Sequence, residues 1–308
     1  MYVLVTGGAG FIGSHTVETL LKCGARVRVL DNFSTGKRQN LPSHANLEVC
    51  TGDIREVNDI QHAAADITHI LHLAAQVSVQ DSLVNPTRSC SINIQGFVNV
   101  LEAARIQQVD RMVYASSAAV YGYPQQLPLL EDDAVHPISP YGLEKSVNDQ
   151  YAELFHSLFG CSLLGVRYFN VYGPRQDPKS PYAGVISKFV HCIEQQQALT
   201  VFGDGSQTRD FVFVKDVAQA NVAALRSTAT GVCHVATGTS RSVLDMIQAL
   251  SNCVGHELQA IHQDAQTGDI PHSAAHIKKL TQALGVQCST RFEDGLRLLL
   301  NDVLGSKA

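Results

Sequence analysis

Tyr141-Gly142-Leu143-Glu144-Lys145 sets a phenol and an ammonium four residues apart, on one face of a helix. A tyrosine with its ordinary pKa near ~10 is a poor base at neutral pH. A neighbouring lysine cation lowers that value, and a second cation at the site lowers it further. Tyr141 can then take the proton of an alcohol while a hydride leaves the same carbon. The same spacing also describes a solvated helix face, so the pair needs independent support. Ser117, in the stretch Tyr114 to Gly122 where a strand ends, offers a neutral hydrogen-bond partner for the reacting hydroxyl, or else a helix cap.

That support lies at the N-terminus. Thr6-Gly7-Gly8-Ala9-Gly10-Phe11-Ile12-Gly13 follows a strand and opens a helix, and it holds G-x-G-x-x-G in the frame Gly8, Gly10, Gly13, with a wider frame starting at Gly7. Such glycines permit a tight turn and let the backbone approach a pyrophosphate at a helix N-terminus. Asp31 comes 21 residues after Gly10, at the end of the second strand. A carboxylate there accepts the adenosine ribose hydroxyls of a dinucleotide and repels a 2′-phosphate, which favours NAD over NADP. Lys37 and Arg38 nearby weaken that preference. Asp53, in Gly52-Asp53-Ile54, is placed either to meet the adenine edge or to cap the next helix. Bound at this turn, an oxidised nicotinamide ring is the second cation that Tyr141 needs.

The elements that must position these groups alternate. Val3–Thr6, Arg26–Leu30, Leu47–Cys50, His69–Leu73, Arg111–Ser116 and Leu163–Arg167 read as strands. Phe11–Cys23, Val57–Ala64, Ser91–Gln107 and Tyr141–Phe159 read as helices between them, with Gly24 and Gly160 at left-handed C-terminal positions. Apolar strands alternating with helices predict an α/β fold, a doubly wound parallel sheet of the Rossmann type, with a smaller C-terminal substrate-binding lobe. The rhythm breaks after Arg167. Asn170–Tyr182 reads as a long functional loop, followed by a helix near 185–197, short strands at 200–202 and 210–214, and a strand at 232–235 returning to the main sheet. Helices at 242–253 and 277–284 are assigned to the smaller lobe. Residues 1–170, with segments near 208–238, thus form the dinucleotide domain, and 171–207 with 239–308 the lobe.

Composition narrows the function classes. A net charge of -5 with no basic block leaves no footprint for nucleic acid. No apolar run approaches a membrane span, and no secretory signal precedes the first strand, so the expectation is a cytoplasmic protein. The 8 cysteines include no C-x-x-C pair, which points to reduced thiols and no zinc; His69 and His72 read as caps of a buried strand rather than metal ligands.

Taken together, Thr6–Gly13, Asp31-Asn32, Gly52-Asp53-Ile54, His72-Leu73-Ala74-Ala75-Gln76, Ser116-Ser117, Tyr141-x-x-x-Lys145, Arg167–Arg175, Thr208-Arg209-Asp210-Phe211 and Gly268-Asp269 resemble the extended short-chain dehydrogenase/reductase family, and within it the UDP-hexose 4-epimerases. The resemblance covers nearly the whole chain. It implies that NAD is held by Gly7, Gly10, Phe11, Ile12, Gly13, Asp31, Asn32, Asp53, Ile54, Leu73, Ala74, Ala75, Asn93, Tyr141, Lys145 and Tyr168, the last beside the nicotinamide. It implies Ser117, Tyr141 and Lys145 as the catalytic residues. A UDP-sugar would meet Gln76, Ser117, Tyr141, Asn170, Val185, Phe202, Arg209, Asp269 and Ser273, with Asn170 and Arg209 at the diphosphate and Asp269 at the ribose. The family also implies a homodimer formed through the helices at 91–107 and 141–159.

Three departures from the family pattern refine the expectation. Ala118-Ala119 stands where dehydratases and decarboxylases of the family carry a glutamate, which argues against elimination and leaves epimerisation intact. Gln266 replaces an arginine before Gly268-Asp269 and removes a charge from the diphosphate site. Ser273 replaces a tyrosine that crowds the C2 substituent of the sugar, which leans toward N-acetylhexosamines as well as glucose and galactose. A 4-keto sugar reductase, an epimerase of another nucleotide sugar and a non-catalytic dinucleotide sensor remain the alternatives.

Overall fold

The computed structural model describes residues 1–177, 184–265 and 270–305. Strands β1 (Tyr2–Thr6), β2 (Arg26–Asp31), β3 (Leu47–Thr51), β4 (His69–His72), β5 (Arg111–Ser117) and β6 (Leu163–Tyr168) alternate with helices as their patterns predict. With β10 (Gly231–Val235) they form one parallel sheet in the order β10-β6-β5-β4-β1-β2-β3. The strand order reverses between β1 and β4, and in such sheets the crevice beyond the strand C-termini at that reversal receives ligand.

Side-chain alternation builds a core on each face of the sheet. Val3, Val5, Val27, Val29 and Val113 pack with Val17 and Leu20 of helix Phe11–Lys22 and Val217 and Leu225 of helix Val214–Arg226. Leu4, Leu30, Ile70 and Met112 pack with Ile60, Phe97, Leu101 and Ala152 of the helices behind. Each fully buried aliphatic chain contributes about 1.5–3 kcal/mol.

The smaller lobe has its own core. β7 (Asn170–Tyr172), β9 (Thr208–Phe213) and β11 (Ser240–Ser242) make a three-stranded sheet, and β8 (Leu199–Phe202) pairs with β12 (Ala260–Gln263). Tyr172, Phe211, Phe213 and Phe292 cluster there, the Phe211 and Phe292 rings stacked at 5.6 Å.

Several elements differ from expectation. The loop expected at 170–182 begins as β7, because Asn170–Tyr172 bonds alongside Phe211–Phe213; residues 178–183 lie outside the described residues. β9 does not return to the main sheet: its alternation sends Phe211 and Phe213 into the lobe and only Val212 into the main core. The return begins at helix Val214–Arg226, which packs along Phe11–Lys22. Helix Lys278–Ala283 places Leu280 in the main-sheet core rather than in the lobe. The helix expected at 91–107 runs from Pro86 to Ile106 and contains a π-helical turn, Ser91–Gln95. His72 is a residue of β4 itself, its Nδ1 2.8 Å from Thr6 Oγ1.

Candidate active site

The glycine turn joins β1 to helix Phe11–Lys22 at the C-terminal edge of the sheet. Gly7 adopts φ +69°, and a Cβ there would stand 2.7 Å from the Ala74 nitrogen. At Gly13 a Cβ would meet the Gly7 carbonyl oxygen at 2.2 Å. Only glycine lets the turn close this tightly against Leu73-Ala74 and against itself. Gly10 is the N-cap, with no side-chain cap, so the first-turn N–H groups are left for a ligand. Phe11 sets its ring edge-on to His15 at 6.3 Å, and Ile12 packs between the main and lobe cores.

Asp31 ends β2 beside this turn. Its Oδ2 accepts from Ala9 N–H and its Oδ1 from Phe33 N–H, each at 2.9 Å. Each oxygen keeps a second acceptor position, which suits a pair of ribose hydroxyls. Gly36 crosses the carboxylate so closely that a Cβ would touch both oxygens at 2.9 Å. Asp53 is forked by Arg55 at 2.7 and 3.0 Å and accepts from Asn32 Nδ2 at 3.0 Å. The Arg55 bond above all holds its carboxyl well below the usual range. Ile54 is buried in the second core, and its carbonyl accepts from Asn99.

Beyond β4, the Leu73 N–H donates to Thr6 O and the Ala74 N–H to Thr6 Oγ1, which lays Leu73-Ala74-Ala75 along the glycine turn. Gln76 is fixed from behind. Asn93 Oδ1 accepts its N–H at 2.9 Å, and Asn93 Nδ2 donates to its carbonyl at 2.9 Å and to the Glu144 carboxylate at 2.6 Å. Asn93, expected to line the dinucleotide, thus ties the Gln76 backbone to Glu144 through its side-chain amide.

Tyr141 and Lys145 rise from helix Pro140–Phe159, whose N-cap Ser139 accepts from the Gly142 N–H. Lys145 is 2% exposed; its Nζ donates to Ala115 O at 2.8 Å and lies 5.9 Å from the centre of the Tyr141 ring. Burial draws this ammonium down to about 8, against the pull of Asp149 and Glu144. The Tyr141 N–H donates to Ser82 Oγ at 3.2 Å. Its phenol corrects the expectation of a depressed pKa. Burial pushes it up, the Ser117 hydroxyl pulls it down and Glu144 pushes it up again. The chain's own residues thus leave Tyr141 protonated and hydrogen-bonded to Ser117. Ser117 also takes the Ala119 N–H, opening a short helical turn over Ala118–Tyr121 that carries no acid.

Tyr168 ends β6 with its hydroxyl donated to Asn221, and burial raises its pKa. Asn170 is exposed at the start of β7. Arg209 Nη1 donates to Thr208 O at 2.8 Å, and Ser273 N–H donates to the same carbonyl at 3.1 Å, so these two lie side by side. Val185 opens the helix after Gly184, and Phe202 ends β8, both partly buried at the lobe. Gln266, Gly268 and Asp269 lie outside the described residues.

Sequence reasoning passed over Glu144, Asp149, Asn148 and Ser82. Glu144 and Asn148 are buried, on the helix that carries Tyr141. The legible signal is polar residues at helical spacing from Lys145, on a face that continues into Ala152 and Phe155.

The residues present fit a dinucleotide: a tight glycine turn, an open helix N-terminus and a carboxylate with free acceptor positions converge at the strand reversal. Residues 3–236 match the NAD dependent epimerase/dehydratase family. A UDP-glucose 4-epimerase of Mycolicibacterium smegmatis is 36% identical over 303 residues, covering 96% of each chain. The UDP-N-acetylglucosamine 4-epimerase of Methanobrevibacter ruminantium, solved with UDP-N-acetylmuramic acid, superposes with a TM-score of 0.96 at 35% identity, over 99% of this chain and 98% of that one. The UDP-glucose 4-epimerase of Thermus thermophilus, solved with NAD, gives 0.92 at 36% identity, over 99% and 100%. The chain belongs to the NAD dependent epimerase/dehydratase family.

Proposed function

We propose that this protein is a UDP-sugar 4-epimerase that keeps NAD at the glycine turn and acts on UDP-N-acetylglucosamine and UDP-N-acetylgalactosamine as well as UDP-glucose and UDP-galactose. The observation that carries the reading is the Tyr141–Ser117 hydrogen bond beside Lys145, at the same sheet edge as the turn. Bound NAD would supply a hydride acceptor that returns what it takes, and a positive charge near the phenol. Tyr141 takes the proton of the C4 hydroxyl and gives it back after the 4-keto sugar has turned its other face. Ser117 orients that hydroxyl, and Lys145 supplies the fixed cation that favours the phenolate. Ala118 and Ala119 offer no acid for elimination, which leaves return of the hydride to C4 as the outcome.

Asn170, Arg209 and Asp269 are assigned to the nucleotide part of the substrate, Arg209 by charge-assisted bonds. Ser273, beside Arg209, leaves room at the sugar C2 position. Leu154, Leu158 and Phe159, exposed on helix Pro140–Phe159, support a homodimer. Product analysis by NMR after incubation with each UDP-sugar tests the assignment. The expected result is a C4 epimer without net change in NADH absorbance, abolished in Tyr141→Phe. Stoichiometric NADH consumption would make the protein a reductase, and full epimerase activity in the Tyr141→Phe variant would remove the mechanism.

A further inference from the structure

One turn beyond Lys145, the Asp149 side chain is sunk between helix and sheet, 11% exposed. Its Oδ1 accepts from the Tyr114 hydroxyl at 3.1 Å. Its Oδ2 accepts from Ser116 Oγ at 3.1 Å and from Arg167 Nε and Nη2 at 3.1 and 3.0 Å. Lys145 Nζ bonds the carbonyl of Ala115, which lies between those two strand residues. Three consecutive residues of β5 are thus pinned by two residues of the helix that carries Tyr141, and Ser117 is next along the strand. Arg167 is itself held, donating from Nη1 to the Tyr121 hydroxyl at 2.5 Å and to Glu131 O at 2.9 Å.

We propose that Asp149, clamped by Arg167, is a positioning residue for the reaction: it fixes the register of Tyr141 and Lys145 against Ser117 and supplies the negative charge that keeps the buried Lys145 ammonium protonated. The inference rests on the reading of this site as the reacting centre. Lys145 is faced by Asp149, Glu144 and Tyr141 from its own helix and by His72 from β4; Tyr114 of β5 and Arg167 of β6 stand behind Asp149. His72 is held neutral by burial, down to about 3, so it adds no charge near neutral pH. Glu144 is already engaged by Asn93 and Ser89, and Asp149 exerts the larger of the two attractions on Lys145. An ion pair that served only the fold would cost stability when removed and leave the titration of Lys145 where it was.

Asp149→Asn keeps an acceptor for Tyr114 and Ser116 but strands the Arg167 cation, which alone can unfold a protein. Asp149→Asn/Arg167→Gln removes both charges and guards against that outcome. The measurement is the lysine Cε shift of carbon-13-lysine-labelled protein against pH, with the Lys145 signal identified by its loss in Lys145→Arg. In whichever variants fold, Lys145 is expected to titrate ~1 pH unit lower than in wild type. The alkaline limb of kcat should move down with it while KM changes by less than ~3-fold, and Asp149→Glu should recover part of the shift. A folded variant whose Lys145 titrates as in wild type overturns the proposal. If the wild-type protein epimerises no UDP-sugar, the functional reading fails on its own, and the lysine titration still decides the role of Asp149.

Discussion

Asn93 donates its side-chain amide to the Glu144 carboxylate at 2.6 Å, tying a π-helical turn to the helix of Tyr141 directly behind the loop of Gln76. Glu144 is 3% exposed and Asn93 2%, so the bond forms away from water. Its other donor is Ser89 Oγ at 2.8 Å. One amide therefore serves three partners: both backbone groups of Gln76 and a buried charge.

Asn93→Ala should be costly for that reason. It leaves Gln76 N–H and C=O without their partner and the carboxylate with a single described donor. The expected loss is about 3 kcal/mol, since orphaned buried polar groups cost ~1–3 kcal/mol each and charged ones more. Urea unfolding of the variant beside wild type measures it; a midpoint within error of wild type would show that the network is dispensable.

Two glycines separate cofactor retention from mere backbone strain. Gly13→Ala would drive a Cβ into the Gly7 carbonyl at 2.2 Å, so the turn must open. Gly24 has φ +76° with nothing within 4 Å, so alanine there strains only its own backbone, by ~1 kcal/mol. Purified Gly13→Ala should release little or no NAD on denaturation, and Gly24→Ala a full complement, read by the absorbance of the released nucleotide.

His72 makes stability fall on the acid side. Burial, with the Lys145 cation adding to it, draws its folded pKa from 6.5 to about 3. The unfolded chain therefore binds a proton that the folded chain refuses between those values. The contribution is fully present above about pH 6.5 and is lost as pH falls toward 3, up to ~5 kcal/mol in total. His72→Gln should flatten that slope in denaturant titrations repeated across this window, and an unchanged slope would assign the acid lability elsewhere.

How much of this was legible depends on whether the cause is local. The strands β1 to β6 and the helices between them follow from apolar alternation and glycine placement over a few residues. The turn at Gly7–Gly13 and the Tyr141–Lys145 pair are local as well, so both could be placed before any coordinates. The π-turn at Ser91–Gln95 has no local signature, and the partners that Asn93 meets from it, Gln76 and Glu144, lie far along the chain. The three-residue strands β7 and β11 are too short to carry a period, and they form only because β9 lies between them. The raised Tyr141 phenol depends on burial by several elements at once, whereas the spacing shows only the nearby cation.

Ser273 carries the finest part of the functional reading, and a single substitution tests it. Its N–H is fixed on Thr208 O, the carbonyl that Arg209 also holds, so the residue cannot drift from the proposed nucleotide-sugar site. The residue is only 9% exposed, and a larger side chain must displace whatever occupies the space beside it. Ser273→Tyr should therefore lower kcat/KM for UDP-N-acetylglucosamine by ~100-fold, about the loss of 3 kcal/mol that exclusion of a bulky substituent brings, while activity on UDP-glucose stays within ~10-fold. Competition between the two substrates, followed by NMR, gives the ratio directly. An equal loss on both sugars would mean that Ser273 packs the lobe and does not read the C2 position. An unchanged ratio with full activity would move the selection for the N-acetyl group to another part of the pocket.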